Sequence, residues 1–259
     1  MSETAILQQS ADRGICTLTL NRPAQYNALS EELLRELIDA LDTIADDDQI
    51  RVVVLEANGK AFCAGHDLKQ MRANDDHGYQ HDLFSTCSIM MQKIVGLPQP
   101  VIAKVQGMAA AAGCQLVATC DMAIASEDCQ FAVSGINLGL FCSTPAVALS
   151  RNISRKRAMR MLLTGQFIDA NTAVEYGLIN DAVAASELDQ AVSQLAEEVT
   201  TRPKNAIRLG KRLFYQQLEG TLPEAYSLAT DAIAGNMMLD EAREGIDAFI
   251  EKRKPNWPD

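Results

Sequence analysis

Between Pro100 and Asp121 the chain changes character twice within a short span. The apolar run Val101-Ile-Ala-Lys-Val105, bounded by Pro100 and Gly107, has the composition of a buried strand. It gives way to Ala109-Ala-Ala-Ala-Gly113, five consecutive residues no larger than alanine, and then to a helix carrying Leu116, Val117 and Met122 as apolar positions. So small a stretch lets another backbone, or a ligand, come very close. A helix starting there aims unpaired N–H groups and a partial positive charge at whatever approaches. Donors of that kind suit a carbonyl whose oxygen gathers negative charge during reaction. They equally suit a helix packed tightly on a sheet, and this stretch alone leaves both readings open.

A second stretch bears on the choice. Gly59-Lys-Ala-Phe-Cys-Ala-Gly-His-Asp-Leu68 follows another buried strand, Arg51 to Glu56. Phe62 anchors the loop, Ala64 and Gly65 keep it slim, and the backbone N–H of His66 is left pointing outward. Two slim loops leaving strands of one sheet would supply the two donors of an oxyanion hole. Ala61–Leu68 and Gln106–Gln115 resemble the two hole-forming motifs of the crotonase superfamily, the enoyl-CoA hydratase/isomerase family of acyl-CoA enzymes. Asn21-Arg-Pro-Ala-Gln-Tyr-Asn-Ala-Leu29 is similar to its N-terminal motif. Leu163–Gly165 with Ala173–Ile179 resembles its later helical region, and Glu244–Pro255 its C-terminal helix. The resemblance runs from about Gly14 to Pro255.

The resemblance implies an α/β fold, a crotonase-like ββα spiral core over residues 1–181 with an all-helical trimerisation subdomain over 182–259, assembled as a homotrimer or hexamer. It implies hole donors at the backbone N–H groups of His66 and Ala112. It places CoA contacts near Ala24, Tyr26, Ala64, Asp67 and Leu68, and matches Phe249 and Lys252 to aromatic and basic positions of the last helix that often reach a CoA. An acyl-CoA or enoyl-CoA thioester is then the substrate, with no further cofactor.

The hydratase subgroup adds two glutamates, which hold the water and move its proton. Gln115 and Gly135 stand at those positions here. Glutamine orients a water but has no useful pKa, and glycine does neither. The acidic or polar residues of two other subgroups fall on Ser143, and on Val133 with Cys142. The implied activity is therefore that of a family enzyme, nominally an enoyl-CoA hydratase or isomerase, whose usual acid/base pair is missing. A non-catalytic acyl-CoA-binding protein stays open beside it, as do thioester hydrolysis and decarboxylation. Replacement groups would come from His66, Asp67, Asn137, Cys142 or Ser143. Ser143 or Thr144 followed by Pro145 also reads as a helix cap.

Composition narrows the rest. A net charge of −11 over 259 residues argues against general nucleic-acid binding. No apolar run is long enough to cross a bilayer. The first residues, Met1 to Gln8, carry neither a signal nor a transit pattern, from which a cytoplasmic location is expected. Seven cysteines are scattered without a Cys-x-x-Cys pair, and read as reduced packing residues. His77 and His81 have the spacing of a metal pair on a helix but no Glu or Cys to complete a set, so no metal is expected and residues 74–78 read as a solvated loop.

Elsewhere periodicity carries the reading. Ile15–Leu20 alternates as a strand. Ser30 caps a helix whose apolar face is Leu33, Leu34, Leu37, Ile38, Leu41 and Ile44. Leu83 to Val95 reads as a helix. Ser154–Leu163 is amphipathic and stopped by Gly165. Helices over 188–199, 203–218, 223–238 and 240–254 complete the chain.

Overall fold

The computed structural model describes residues 5–258, so the first four of the residues Met1–Gln8, in which neither a signal nor a transit pattern is read, lie outside the described residues. Strands β1 (Leu7–Asp12) and β2 (Ile15–Leu20) pair antiparallel, and helix α1 (Glu31–Ala45) leads to β3 (Val52–Ala57). A repeating unit follows, in which a main strand is succeeded by a short one and then by helix. β3 is followed by β4 (Ala61–Cys63), α2 (Leu68–Ala73) and α3 (His77–Gly96). Next come β5 (Val101–Val105), β6 (Met108–Ala110) and α4 (Ala112–Thr119). The third unit is β7 (Met122–Ser126), β8 (Gln130–Ala132), a 3₁₀ helix (Ser134–Leu138) and α5 (Ser143–Asn152). Beyond it lie α6 (Arg155–Thr164), β9 (Ile168–Asp169), α7 (Ala170–Tyr176) and β10 (Asp181–Val183). The chain closes with α8 (Leu188–Thr200), α9 (Lys204–Leu218), α10 (Leu222–Asn236) and α11 (Asp240–Glu251).

Long strands form one sheet, in the order β1-β2-β3-β5-β7-β10, parallel apart from β1. The short ones form a second, β4-β6-β8-β9, parallel apart from β9. The expected ββα core is thus present, and its physical basis is burial on both faces of the main sheet. Val53, Leu55, Val101, Ala103 and Val105 face the large core shared with α1, α3 and α4. Val52, Val54, Ile102 and Ile124 face the other way, against Leu188, Val192 and Ala196 of α8.

Caps and stops form where the residue types require them. Ser30 Oγ accepts from the Leu33 N–H at 3.3 Å, and Leu33, Leu34, Leu37, Leu41 and Ile44 are buried. Gly165 ends α6 in the left-handed conformation at φ 61°. α9 is tied to the core by a buried lysine. Lys211 Nζ donates to the Ile94 carbonyl at 2.9 Å, the Gln99 carbonyl at 3.0 Å and Asp121 at 2.6 Å, using all three of its donors.

Three expectations need correction, and one unassigned stretch is filled in. Met122 opens β7 instead of extending α4, because Cys120 leaves the helix in an extended conformation. The loop expected at 74–78 is shorter, since Asp76 caps α3 through the Tyr79 N–H at 2.9 Å and draws His77 and Gly78 into its first turn. Neither Ser143 nor Thr144 caps α5. The N-cap is Cys142 with no side-chain hydrogen bond, and Ser143 is already helical. Leu7–Asp12, left unassigned from the sequence, form β1, an exposed edge strand with no apolar alternation to reveal it.

Candidate functional site

β4 and β6 are parallel neighbours, with Ala61 opposite Met108 and Cys63 opposite Ala109. The residues after each strand therefore emerge at the same end, where ligand-binding loops of parallel sheets gather. Small residues then let the two loops touch. A Cβ on Gly113 would lie 2.0 Å from the Cys63 carbonyl oxygen, so the first turn of α4 rests on β4 at backbone contact. Gly65, at φ 98°, has room for no Cβ either, which would stand 2.9 Å from Ala111 Cβ and 3.3 Å from Ala112 N.

Two main-chain donors are left over by this arrangement. His66 pairs with Leu29 in a one-residue parallel bridge that uses its neighbours: Leu29 N–H donates to Gly65 O at 2.8 Å, and Asp67 N–H to Leu29 O at 3.2 Å. Ala111 turns the chain with φ 50° and ψ −118°, a strained conformation for a residue with a Cβ. It is held there by its N–H, which donates to Ala132 O at 2.8 Å. Ala112 is consequently the first residue of α4, whose N–H has no partner within the helix. Among the described residues, neither the His66 nor the Ala112 N–H donates to a protein acceptor.

The His66 ring packs edge-on against Phe84, with centroids 5.0 Å apart. Both its nitrogens are sealed from solvent without a hydrogen-bond partner. Burial pushes its pKa down to about 4, with the Leu29 backbone pulling weakly the other way, so the ring is neutral near pH 7. Gln115 is buried in the first half of α4, and its Oε1 also lacks a partner. Gly135, buried in the 3₁₀ helix, donates its N–H to Cys142 Sγ at 3.3 Å. Burial raises the Cys142 thiol pKa, keeping it protonated. Ser143 Oγ donates to the Phe141 carbonyl at 3.3 Å and is exposed.

Asp67 is a fixed carboxylate. Its Oδ1 caps α2 through the Lys69 and Gln70 N–H groups at 3.1 and 3.3 Å, and Oδ2 pairs with Arg22 at 3.1 Å. Burial favours its protonation, but Arg22 and the capping bonds outweigh that and hold the carboxyl below its usual range. The segment carrying Ala24 and Tyr26 joins the same loop, since Ala64 N–H donates to Tyr26 O at 3.0 Å. Leu68 follows, exposed at the start of α2. Phe249 and Lys252 are not brought to these loops within one chain. Phe249 is 85% exposed on α11, Lys252 is its left-handed C-cap, and among the described residues no hydrogen bond or ion pair joins either to them.

Residues unremarked in the sequence complete the frame. Arg22 and the fully buried Asn27 connect the N-terminal segment to the His66 loop, and Phe84 covers the imidazole. The only signal for Arg22 and Asn27 was polarity inside the Asn21–Leu29 motif, and Phe84 had none. All seven cysteines are free and buried, as expected of packing residues.

Comparison with known proteins bears on the whole chain. The family model for enoyl-CoA hydratase/isomerase matches residues 10–259. A crystal structure of an enoyl-CoA hydratase from Mycobacterium smegmatis superposes with a TM-score of 0.97 at 52% identity, covering 98% of this chain and 99% of that one. That of human enoyl coenzyme A hydratase domain-containing protein 3 gives 0.95 at 41% identity, over 98% of this chain and 100% of that one. The curated human protein of that name is 43% identical over 94% of this chain and 80% of its own length. It and its counterparts from Rattus norvegicus, Mus musculus, Xenopus laevis and Danio rerio are all named mitochondrial, which overturns the cytoplasmic location expected from the N-terminal residues.

Proposed function

Because the chain belongs to the enoyl-CoA hydratase/isomerase family, we propose that it is an acyl-CoA enzyme that polarises a CoA thioester with the backbone N–H groups of His66 and Ala112. One observation carries this reading: two adjoining loops each leave a main-chain donor unpaired at the same end of parallel strands. The thioester oxygen accepts from both. When a carbon–hydrogen bond next to the carbonyl breaks, or a nucleophile adds to the enoyl double bond, the charge on that oxygen is met by preorganised dipoles. The Ala24–Tyr26 and Ala64–Leu68 segments, already zipped together, hold the CoA moiety alongside.

The nominal reaction is hydration or isomerisation of an enoyl-CoA. Gln115 supplies an amide to orient a water, and Gly135 supplies no side chain. Proton transfer therefore falls to a group outside the usual glutamate pair, and the fixed Asp67 and depressed His66 are poorly suited to it. A second reading is supported by Cys142, whose sulfur fills the space beside Gly135: the same pocket binds acyl-CoA without turnover, or serves thioester hydrolysis or decarboxylation.

Calorimetry with CoA and acetyl-CoA, followed by an assay of crotonyl-CoA loss, tests the proposal. Binding with turnover supports the enzyme, and binding without any thioester turnover supports the binder. Failure to bind either ligand would remove both.

The helical end is assigned to self-association. No apolar residue of α9 or α10 is buried within the chain, and Phe214, Leu218, Leu222, Tyr226 and Ile233 are exposed along them. Apolar faces of this size are characteristic of interfaces. A homotrimer or hexamer, with residues 182–259 as its trimerisation part, accounts for them, and would let Phe249 and Lys252 approach a neighbouring pocket. Sedimentation velocity distinguishes these assemblies from a monomer.

A further inference from the structure

We infer that Arg22 is a positioning residue that fixes the direction of the His66 N–H, an inference that rests on the oxyanion hole proposed above. The His66–Leu29 bridge is only one residue long, and two backbone hydrogen bonds alone leave such a pairing free to twist. Arg22 spans it from outside. One guanidinium nitrogen donates to the carbonyl of Ala28, immediately before Leu29, and another to the carboxylate of Asp67, immediately after His66. The same side chain therefore grips both strands of the bridge one residue away from the donor.

Its own anchorage is firm. The Arg22 N–H donates to Asn27 Oδ1 at 2.8 Å, and Asn27 N–H returns to the Arg22 carbonyl at 3.0 Å. Asn27, fully buried, uses its side-chain amide to bind the Asn58 and Ala61 carbonyls, each at 2.8 Å. The frame thus reaches β4, the strand that delivers the His66 loop. With the Arg22 and Asp67 side chains only 17% and 16% exposed, solvent does not readily replace either partner. A guanidinium reaches both acceptors at once because its donors diverge from a rigid plane; an ammonium is a single point and satisfies one or the other.

The test uses the full chain and dimethylaminocinnamoyl-CoA, a chromophoric enoyl thioester whose absorption moves to longer wavelength when its carbonyl is polarised. At saturation the parent protein is expected to show a red shift. Arg22→Leu and Arg22→Lys should each lose about half of it or more, while CoA affinity changes by no more than roughly threefold. Asp67→Asn, which keeps the shape and an oxygen for the cap, should lose a similar share, and adding Arg22→Leu to it should cost little more. This second variant decides the matter where Arg22→Leu does not fold. A shift that survives all these changes at full size overturns the positioning role while leaving the hole intact. A parent protein that binds the probe with no shift overturns the hole, and the positioning role with it.

Discussion

Gly135 and Cys142 share one space. The Gly135 N–H donates to Cys142 Sγ, and a Cβ on Gly135 would stand 2.7 Å from that sulfur and 2.9 Å from the Leu140 carbonyl oxygen. The position that the family resemblance matches to the second hydratase glutamate is thus closed by a neighbouring side chain as well as emptied of its own.

Restoring the glutamates is therefore expected to need three changes. Gln115→Glu with Gly135→Glu should leave the second carboxylate displaced and the fold weakened by about 1–3 kcal/mol, the usual cost of overpacking. Adding Cys142→Ala removes the sulfur, though not the Leu140 carbonyl, and should recover part of that stability. Urea denaturation of the double and triple variants, beside crotonyl-CoA hydration by each, measures both effects. Equal stability of the two variants would show that Cys142 is no obstacle.

The His66 ring makes a pH prediction. An ordinary histidine titrates near 6.5, and burial pushes this one down to about 4. The unfolded chain takes up its proton first as pH falls, so the native state loses stability progressively between those values and keeps it in full above 6.5. A gap of about 2.5 units corresponds to at most about 3 kcal/mol. His66→Leu cannot titrate, and should flatten the dependence of unfolding free energy on pH across that window. A variant with the parent's slope would assign the acid loss to other groups.

Close approach between the loops is equally testable. Gly113→Ala would press a methyl group into the Cys63 carbonyl oxygen at 2.0 Å, with the Cys63 carbonyl carbon and Cβ at 2.7 and 2.8 Å and nothing flexible to yield. It should cost about 4 kcal/mol or more, or prevent folding. Gly235→Ala serves as the control, because nothing lies within 4 Å of the added carbon. That change should be neutral or slightly stabilising within a helix. Thermal melts of the two variants separate the effect of contact from that of glycine in general.

These contacts mark what the sequence could reveal. Ile15–Leu20 and the α1 face were legible because each repeats a period long enough to count, and Val101–Val105 because it is an apolar run bounded by Pro100 and Gly107. β4, β6 and β8 were not, as three residues contain no measurable alternation, yet their pairing is what places the two donors side by side. The family motifs identified His66 and Ala112 as backbone positions. They did not reveal the orphaned imidazole nitrogens, which depend on Phe84 from another element. Nor did they reveal the pairing of Arg22 with Asp67, 45 residues apart and visible only after folding. The expected cap at Ser143 failed for a similar reason: Cys142 takes the cap position while its sulfur accepts from Gly135.

Lys211 supplies the last prediction. It is 6% exposed and pairs with Asp121, which is 14% exposed and also accepts from Tyr215 Oη at 2.9 Å and the Val101 N–H at 2.6 Å. Burial lowers the Lys211 pKa, and Asp121 pulls it back. Lys211→Met removes the charge but keeps most of the length, leaving Asp121 short of its cation and the Ile94 and Gln99 carbonyls without the donor they share. Breaking a buried pair from one side costs about 3–5 kcal/mol. Arg72→Met, by contrast, breaks an exposed pair with Asp75 and should cost less than about 1 kcal/mol. Since Lys211 is where α9 meets the core, its loss should also speed amide exchange in α9 before the main sheet opens. Uniform exchange across both would show that the helix and the sheet unfold as one unit, with the lysine contributing to overall stability alone.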